Sequence, residues 1–363
     1  MLRPMNRREF LFTTAAAAAG AATSNVFAAD KSVTLAFVGC AHIHTPGFIK
    51  LLNGRSDVKT KWVWDHDTAR AEKRAKELSA QVVSDPEKIW VDSEVAGVVI
   101  CSETNRHHDL VIAAAKAGKH MFVEKPLGIT GRESEAMASA IQKAGLHFTT
   151  GYFMRTDPKH LFLKDQVAQG NFGRITRVRG SNCHAGSLRG YFDSEWRWMA
   201  DPKIAGVGAF GDLGTHKLDI LMWLFGDVDE VSAEIQIVTN KYKDCDETGE
   251  ALMQFKNGII GTLAAGWVDV DDPVQLLISG TEGHATIARN ELYFKSSKAS
   301  GADGKKPFTD LPSAPVLPLH QFVDAVSGKK DQPLVTPAEA AARVKVMEAM
   351  YKAARGRKWV KVT

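Results

Sequence analysis

The chain has 363 residues, 44% hydrophobic and 24% charged, with a formal net charge of +4. This composition is that of a globular protein and excludes a disordered or fibrous one. The positive charge is small and dispersed, without an Arg-rich block or nucleic-acid motif, so no nucleic-acid partner is expected. Four cysteines, Cys40, Cys101, Cys183 and Cys245, show neither C-x-x-C spacing nor the density of a disulfide scaffold, and buried free thiols are expected.

The N-terminus reads as an address. Asn6-Arg7-Arg8-Glu9-Phe10-Leu11, then an apolar, Ala-rich stretch from Phe12 to Ala22, has the form of a twin-arginine export signal spanning residues 1–28, with a small-residue cleavage site at Val26-Phe27-Ala28. The apolar run is well short of the roughly 20 residues a spanning helix needs, so no stable membrane insertion is expected after cleavage. The expected location is periplasmic or otherwise exported. About 335 residues then remain, too many for one core and natural for two domains. The pattern places a first domain at 32–151, a second at 152–335, and a C-terminal helix and tail at 336–363.

In the first domain, Val33 to Val38 is an apolar strand bounded by Gly39, and His44 to Leu52 is helix-like after Pro46. A second strand, Val58 to Trp64, ends at Asp65, 26 residues past Gly39. A carboxylate there accepts hydrogen bonds from the adenosine ribose of a dinucleotide and repels a 2′-phosphate, which favours NAD; His66 beside it leaves NADP open. Ala69 to Leu78 (helix), Val95 to Cys101 (strand), His107 to Ala117 (helix, stopped by Gly118), His120 to Val123 (strand) and Arg132 to Ala144 (helix) continue the alternation. The implied architecture is an α/β doubly wound parallel sheet. In such a sheet Cys40 and Cys101 end neighbouring strands, where a bridge is conceivable, although folding before export would expose both to a reducing cytoplasm first.

The phosphate-binding fingerprint is eroded. Where G-x-G-x-x-G is usual the chain has Gly39-Cys40-Ala41-His42-Ile43-His44, which keeps only the first glycine. Three readings stand open: a nucleotide site with displaced phosphates, contacted by Gly39, Ala41, His42 and His44; a site where His42 or His44 touches phosphate or substrate; and a metal site, for which His-x-His gives two ligands but spacing places no third. The first is preferred and no metal is assigned.

From about Tyr152 the pattern changes. Val228 to Val238, Ala251 to Phe255, Ile259 to Ala265, Val274 to Ile278 and Ala285 to Ile287 are strand-like, with turn signals at Asn257-Gly258 and Thr281-Glu282-Gly283, so the second domain is α+β with an open, largely antiparallel sheet. Ser181-Asn182-Cys183-His184, Arg189, Tyr191, Trp196, Arg197 and Trp198 combine planar rings with charged groups, as carbohydrate sites do. His184 and Arg197 are candidate substrate contacts, while Trp196 and Trp198 are equally suited to the core. Arg155, at the domain junction, is suited either to face a ligand or to brace the hinge. Lys298 to Leu317 reads as an exposed loop, and a last helix, Pro337 to Ala354, follows Thr336 as N-cap and ends at Gly356.

Two motifs carry the chemistry. In Gly211-Asp212-Leu213-Gly214-Thr215-His216-Lys217-Leu218-Asp219, the apolar run after His216 predicts a helix, on which Asp212 and His216 share a face and Asp219 joins them. In Glu124-Lys125-Pro126 the proline keeps the lysine extended at a strand end. A converging lysine, histidine and carboxylate can take a proton from a hydroxyl while a hydride leaves its carbon.

The pair resembles the signature of the NAD(P)-dependent sugar oxidoreductases named after glucose-fructose oxidoreductase, inositol dehydrogenase and MocA (Gfo/Idh/MocA), over nearly all of the chain after residue 32. The resemblance implies a catalytic group of Lys125, Asp212 and His216. It implies NAD or NADP near Ser102, Glu124 and Lys125, and export, where no pool of free NAD(P)H renews it, makes a tightly bound cofactor the expectation. Asn105-Arg106-His107-His108 resembles the family's N-x-x-H, which implies Asn105 and His108 beside the nicotinamide; otherwise Asn105 merely caps its helix. It also implies a homodimer or homotetramer packed through the second sheet. The expected activity is hydride transfer on a sugar, sugar derivative or cyclitol. Its rivals are a redox glycoside hydrolase or lyase with internally recycled cofactor, and a non-catalytic sugar-binding protein, against which the intact Lys, Asp and His argue.

Overall fold

Strands covered on both faces can be apolar throughout, and the first half of the chain is built from such strands. A computed structural model describes residues 32–363; the leader assigned to residues 1–28 lies outside the described residues. The first domain runs β1 (Val33–Cys40), α1 (Thr45–Asn53), β2 (Val58–Trp64), α2 (Thr68–Leu78), β3 (Gln81–Val82), α3 (Glu87–Trp90), β4 (Gly97–Cys101), α4 (His107–Lys116), β5 (His120–Val123), α5 (Gly131–Lys143) and β6 (Phe148–Thr150). All pairings are parallel, in the order β3-β2-β1-β4-β5-β6, so the order reverses between β1 and β4. That switch point opens a crevice at the carboxyl ends of the strands, where a doubly wound sheet takes its ligand. Cys40 and Cys101 pair across β1 and β4 as buried free thiols.

The second half adds α6 (Pro158–Ala168), β7 (Ile175–Cys183), α7 (Pro202–Ala205), α8 (Ala209–Phe225), then β8 (Val228–Gln236), β9 (Thr248–Phe255), β10 (Ile260–Gly266), β11 (Val274–Gly280), β12 (Gly283–Ala288) and β13 (Glu291–Ser296), and ends with α9 (Pro318–Val326), α10 (Pro337–Gly356) and β14 (Val360–Lys361). The strands form one mixed sheet, β13-β12-β11-β7-β10-β9-β8-β14, in which only β7 and β10 pair in parallel. Alternate residues such as Ala251, Met253 and Phe255 are buried beneath α8 and α10, whereas Leu252 and Ile260 lie exposed on the other face.

The domain boundaries differ from the order along the chain. Leu319, Phe322 and Val323 of α9, placed by sequence in the second domain, complete the core on one face of the first sheet, and Ala340, Ala341 and Val344 of α10 join the core on its other face. A return of the C-terminal segment onto the first domain has no local signal, because an amphipathic helix does not say which sheet it will cover. Thr336 caps α10 through a reciprocal pair with Glu339; the left-handed residue that ends this helix is Arg357 rather than Gly356.

Two expectations about charged residues are corrected at the domain junction. Arg155 is not free to face a ligand: it grips both oxygens of Asp219 at 2.8 and 2.6 Å and also reaches Glu339 at 2.9 Å. Arg343 of α10 adds a third contact to Asp219 at 3.0 Å. Asp219 therefore does not join Asp212 and His216. Its place on α8 turns it toward the two arginines, where it ties α8, α10 and the interdomain segment together. Asp219→Asn should leave two buried guanidiniums short of a countercharge and lower stability by about 3–5 kcal/mol, read as a lower denaturation midpoint at pH 7.

Lys217, on the sheet side of α8, is 2% exposed. Its stem passes Gly180 of β7 so closely that a Cβ there would lie 2.6 Å from the lysine Cγ. Among the described residues no carboxylate lies within ion-pair distance of the ammonium, and burial, only partly offset by the charges of Asp272 and Asp157, lowers its pKa from 10.5 to about 8. A group whose folded pKa is depressed in this way, as a lysine, penalises the native state fully below pH 8, and the penalty fades as pH rises from about 8 to 10.5. Lys217→Met should therefore stabilise the protein at pH 7, by up to about 3 kcal/mol, with the advantage gone near pH 10.5 in chemical denaturation across pH.

Candidate active site

α8 begins with a motif that supplies no capping side chain of its own: its N-cap is Gly208. Tertiary structure supplies the cap. Asp246 accepts from the backbone N–H of Gly208 at 3.1 Å and of Phe210 at 2.8 Å, while the Tyr351 hydroxyl accepts from Gly211 at 3.1 Å and donates to Asp246 at 2.9 Å. The first-turn donors of α8 are thus satisfied, and the turn that carries Asp212 is fixed.

Lys125 leaves the end of β5 and donates to Asp212 Oδ1 at 2.6 Å; its side chain is 2% exposed. The other oxygen, Oδ2, accepts from Trp267 Nε1 at 3.2 Å. Burial alone would raise the Asp212 carboxyl, but the Lys125 ammonium outweighs it and holds the pKa down at about 2. With both oxygens engaged, Asp212 aims Lys125 rather than reaching outward itself. His216 stands one turn further along, against the rings of Phe153 and Tyr152 at centroid distances of 5.1 and 6.1 Å. Burial first, and the Lys125 charge second, push its pKa well below the usual histidine value, so the imidazole is neutral at pH 7. Its Nδ1 is buried without a partner among the described residues. A neutral ring keeps one nitrogen lone pair, and a lone pair beside an ammonium is what a general base needs before its substrate arrives.

The nucleotide crevice keeps the features that matter most. Gly39 has φ +81°, and a Cβ there would lie 2.6 Å from Ser102 Cα, so β1 and the segment after β4 approach as only glycine permits. Ser102 Oγ is buried with no partner, a polar atom left for a ligand in the crevice. The residues present fit a dinucleotide at this place. Asp65, however, is not free to accept ribose hydroxyls: its oxygens take Cys40 N, Asp67 N, and Arg70 Nε and a terminal nitrogen at 2.7–2.9 Å. Arg70 also reaches Glu103, which holds His66 at 2.9 Å. Sequence reasoning missed Arg70, whose charge at the ribose end softens the exclusion of a 2′-phosphate argued from Asp65.

The remaining candidates divide. His42 and His44 both turn toward Glu124, His44 Nδ1 lying 3.0 Å from Glu124 Oε1, and Trp198 Nε1 donates to Ala41 O at 3.1 Å to close the loop over them. His184, at the end of β7, is half-buried and within the field of the Asp212 charge. Arg197 is instead exposed, laid over the Tyr242 ring and bonded to Ala200 O, with no contact to the cluster. Asn105 is exposed, and neither it nor any side chain caps α4, whose N-cap is Arg106. His108, 40% exposed, turns to Asp109. The inward histidine is His107, whose ring meets the carbonyls of Ser102, Pro126 and Leu127 and so joins the crevice to the Lys125 turn. The N-x-x-H spacing from Asn105 selects His108, whereas the orientation of α4 turns His107 inward. Gly39→Ala should cost about 1–3 kcal/mol in strain and lose bound dinucleotide, checked by thermal melting and nucleotide content.

Comparison with known proteins matches both domains in order. Residues 33–152 match an oxidoreductase family with an NAD-binding Rossmann fold, and residues 160–286 match the GFO/IDH/MocA C-terminal domain. The levoglucosan dehydrogenase of Pseudarthrobacter phenanthrenivorans is 32% identical over 210 residues, which are 57% of this chain and 53% of that protein, so this match spans about half of that relative. The scyllo-inositol 2-dehydrogenase (NAD(+)) of Bacillus subtilis is 29% identical over 328 residues, 87% of this chain and 92% of that one. The structure of a levoglucosan dehydrogenase with NADH and levoglucosan superposes with a TM-score of 0.75 at 23% identity, covering 91% of this chain and 99% of the other, a likeness of fold. With both domains matched in order, a parallel-sheet nucleotide domain and the Lys125–Asp212 pair at its edge, the chain belongs to the Gfo/Idh/MocA family of NAD-binding oxidoreductases.

Proposed function

We propose that the protein interconverts a secondary alcohol and its ketone on a sugar, sugar derivative or cyclitol, with His216 as general base in the oxidising direction and Lys125 as the oxygen-side hydrogen-bond donor. One observation carries this reading: the Lys125 ammonium, fixed at 2.6 Å by Asp212, lies in the same buried group as a neutral His216 whose Nδ1 has no partner. Bound nicotinamide supplies a two-electron hydride acceptor. As the carbinol C–H leaves as hydride, His216 takes the hydroxyl proton, and Lys125 stabilises the negative charge that builds on the oxygen as it becomes a carbonyl. Asp212 positions Lys125, and Trp267 positions Asp212. The dehydrogenase names of the similar proteins, on levoglucosan and scyllo-inositol, support a polyhydroxylated substrate.

The leader motif in residues 1–28 supports export of the folded protein with its dinucleotide aboard. Outside the cytoplasm no pool of free NAD(P)H renews it, which favours a cycle that closes within the site. On that ground a second reading stands beside the first: transient oxidation, elimination of a glycosidic substituent, addition of water and reduction, giving net glycoside cleavage. Aglycone release without accumulating NADH selects the second reading; stoichiometric NADH selects the first. The exposed face of the second sheet, with Leu252 and Ile260, supports association of two or four copies.

His216→Ala and Lys125→Ala should each lower turnover by about 10²-fold or more while the protein stays folded and retains its dinucleotide, measured by single-turnover absorbance and by mass spectrometry of nucleotide released on denaturation. Full activity in either variant overturns the assignment.

A further inference from the structure

The loop that lost two glycines gained two histidines, and the fold brings both to one carboxylate. His42 and His44 lie with ring centroids 4.6 Å apart. Glu124 Oε1 is 3.0 Å from His44 Nδ1 and 3.8 Å from His42 Nδ1. Donor atoms of all three residues fall within 4.8 Å of one another. Glu124 is fully buried, and its other oxygen is held by the backbone N–H of Lys125 at 2.8 Å, so Oε1 is the one turned to the histidines. No lysine or arginine side chain hydrogen-bonds to Glu124 among the described residues.

A carboxylate at this distance disfavours an anion in the same space, which argues against the histidines as phosphate ligands. It favours a cation. Two imidazoles and one carboxylate are the ligand set of an open catalytic zinc site, and metal–ligand bonds of about 2.0–2.2 Å put donor atoms roughly 3.3 Å apart in a tetrahedron, close to the 3.0 Å between His44 and Glu124. His42 Nδ1 accepts from the His44 backbone N–H at 3.3 Å and would exchange that bond for the ion. His44, with its side chain 35% exposed, gives an ion a way in. We propose that His42, His44 and Glu124 form a divalent transition-metal site, best suited to zinc, with one position left for water or a substrate hydroxyl. The Glu124-Lys125 sequence ties this site to the proton-transfer group, because consecutive residues at the end of β5 serve one each. The third ligand was invisible in the sequence, 80 residues away from His44.

The test reads metal directly. Mature protein is dialysed against a chelator and titrated with Zn2+ and, separately, Co2+. Expected are one tightly held equivalent by elemental mass spectrometry and the visible d–d absorption of four-coordinate Co2+. His42→Ala and His44→Gln should each weaken binding at least 10-fold with the native circular-dichroism spectrum retained, whereas His284→Ala, on the second sheet, should leave it unchanged. Absence of a stoichiometric ion in the wild-type protein, or equal binding by a folded double variant, overturns the proposal. Neither readout requires turnover or nucleotide, so it fails or stands separately from the oxidoreductase reading.

Discussion

The ion pair between Lys125 and Asp212 joins the two halves of the chain chemically as well as mechanically. Its partners are 87 residues apart, one at the end of a parallel strand and one in the first turn of a helix that lies on the other sheet. A buried pair of this kind contributes little net stability, because desolvation offsets most of the attraction. Its value is positional. It fixes an ammonium over the carboxyl edge of the nucleotide sheet and, through its field, helps keep the His216 ring neutral.

Around that pair the protein spends polar groups on orientation. Trp267 fixes Asp212, the Asp246–Tyr351 pair fixes the start of α8, and Asp219 with Arg155 and Arg343 fixes its middle against α10. They come from several elements, with α10 supplying both Tyr351 and Arg343, so displacement of one costs contacts in several. Lys217 is the exception, a buried ammonium with no carboxylate at ion-pair distance among the described residues, on the same helix as the proton-transfer histidine.

The nucleotide crevice shows what an eroded motif retains. The first glycine is irreplaceable because the backbone is left-handed there and the next strand is in contact. The second and third positions tolerated change: Ala41 is closed over by Trp198, and the third became His44, turned toward Glu124 instead of into the packing of α1. A glycine needed for φ is under a different constraint from a glycine needed for room, since room can be made by moving a neighbour.

The sequence by itself determined the two-domain plan, the parallel sheet and its strands, the Lys125 and Asp212–His216 motifs, and Thr336 as the cap of α10. Those features rest on local rules: alternation of apolar runs and helical periods, helical spacing, and capping chemistry within three residues. Tertiary structure alone decided which polar groups meet. It gave Asp219 to Arg155 and Arg343, filled Asp65 with Arg70, turned His107 inward in place of His108, returned α9 to the first sheet, and set Glu124 against two histidines. For α9 the reason is that its apolar face does not name the sheet it will cover; for the four polar cases it is the same limit in another form. Helix and strand periods say which face a residue occupies, but a charge is satisfied by whatever folding brings within about 3 Å, and that distance is not written in any local stretch of the chain.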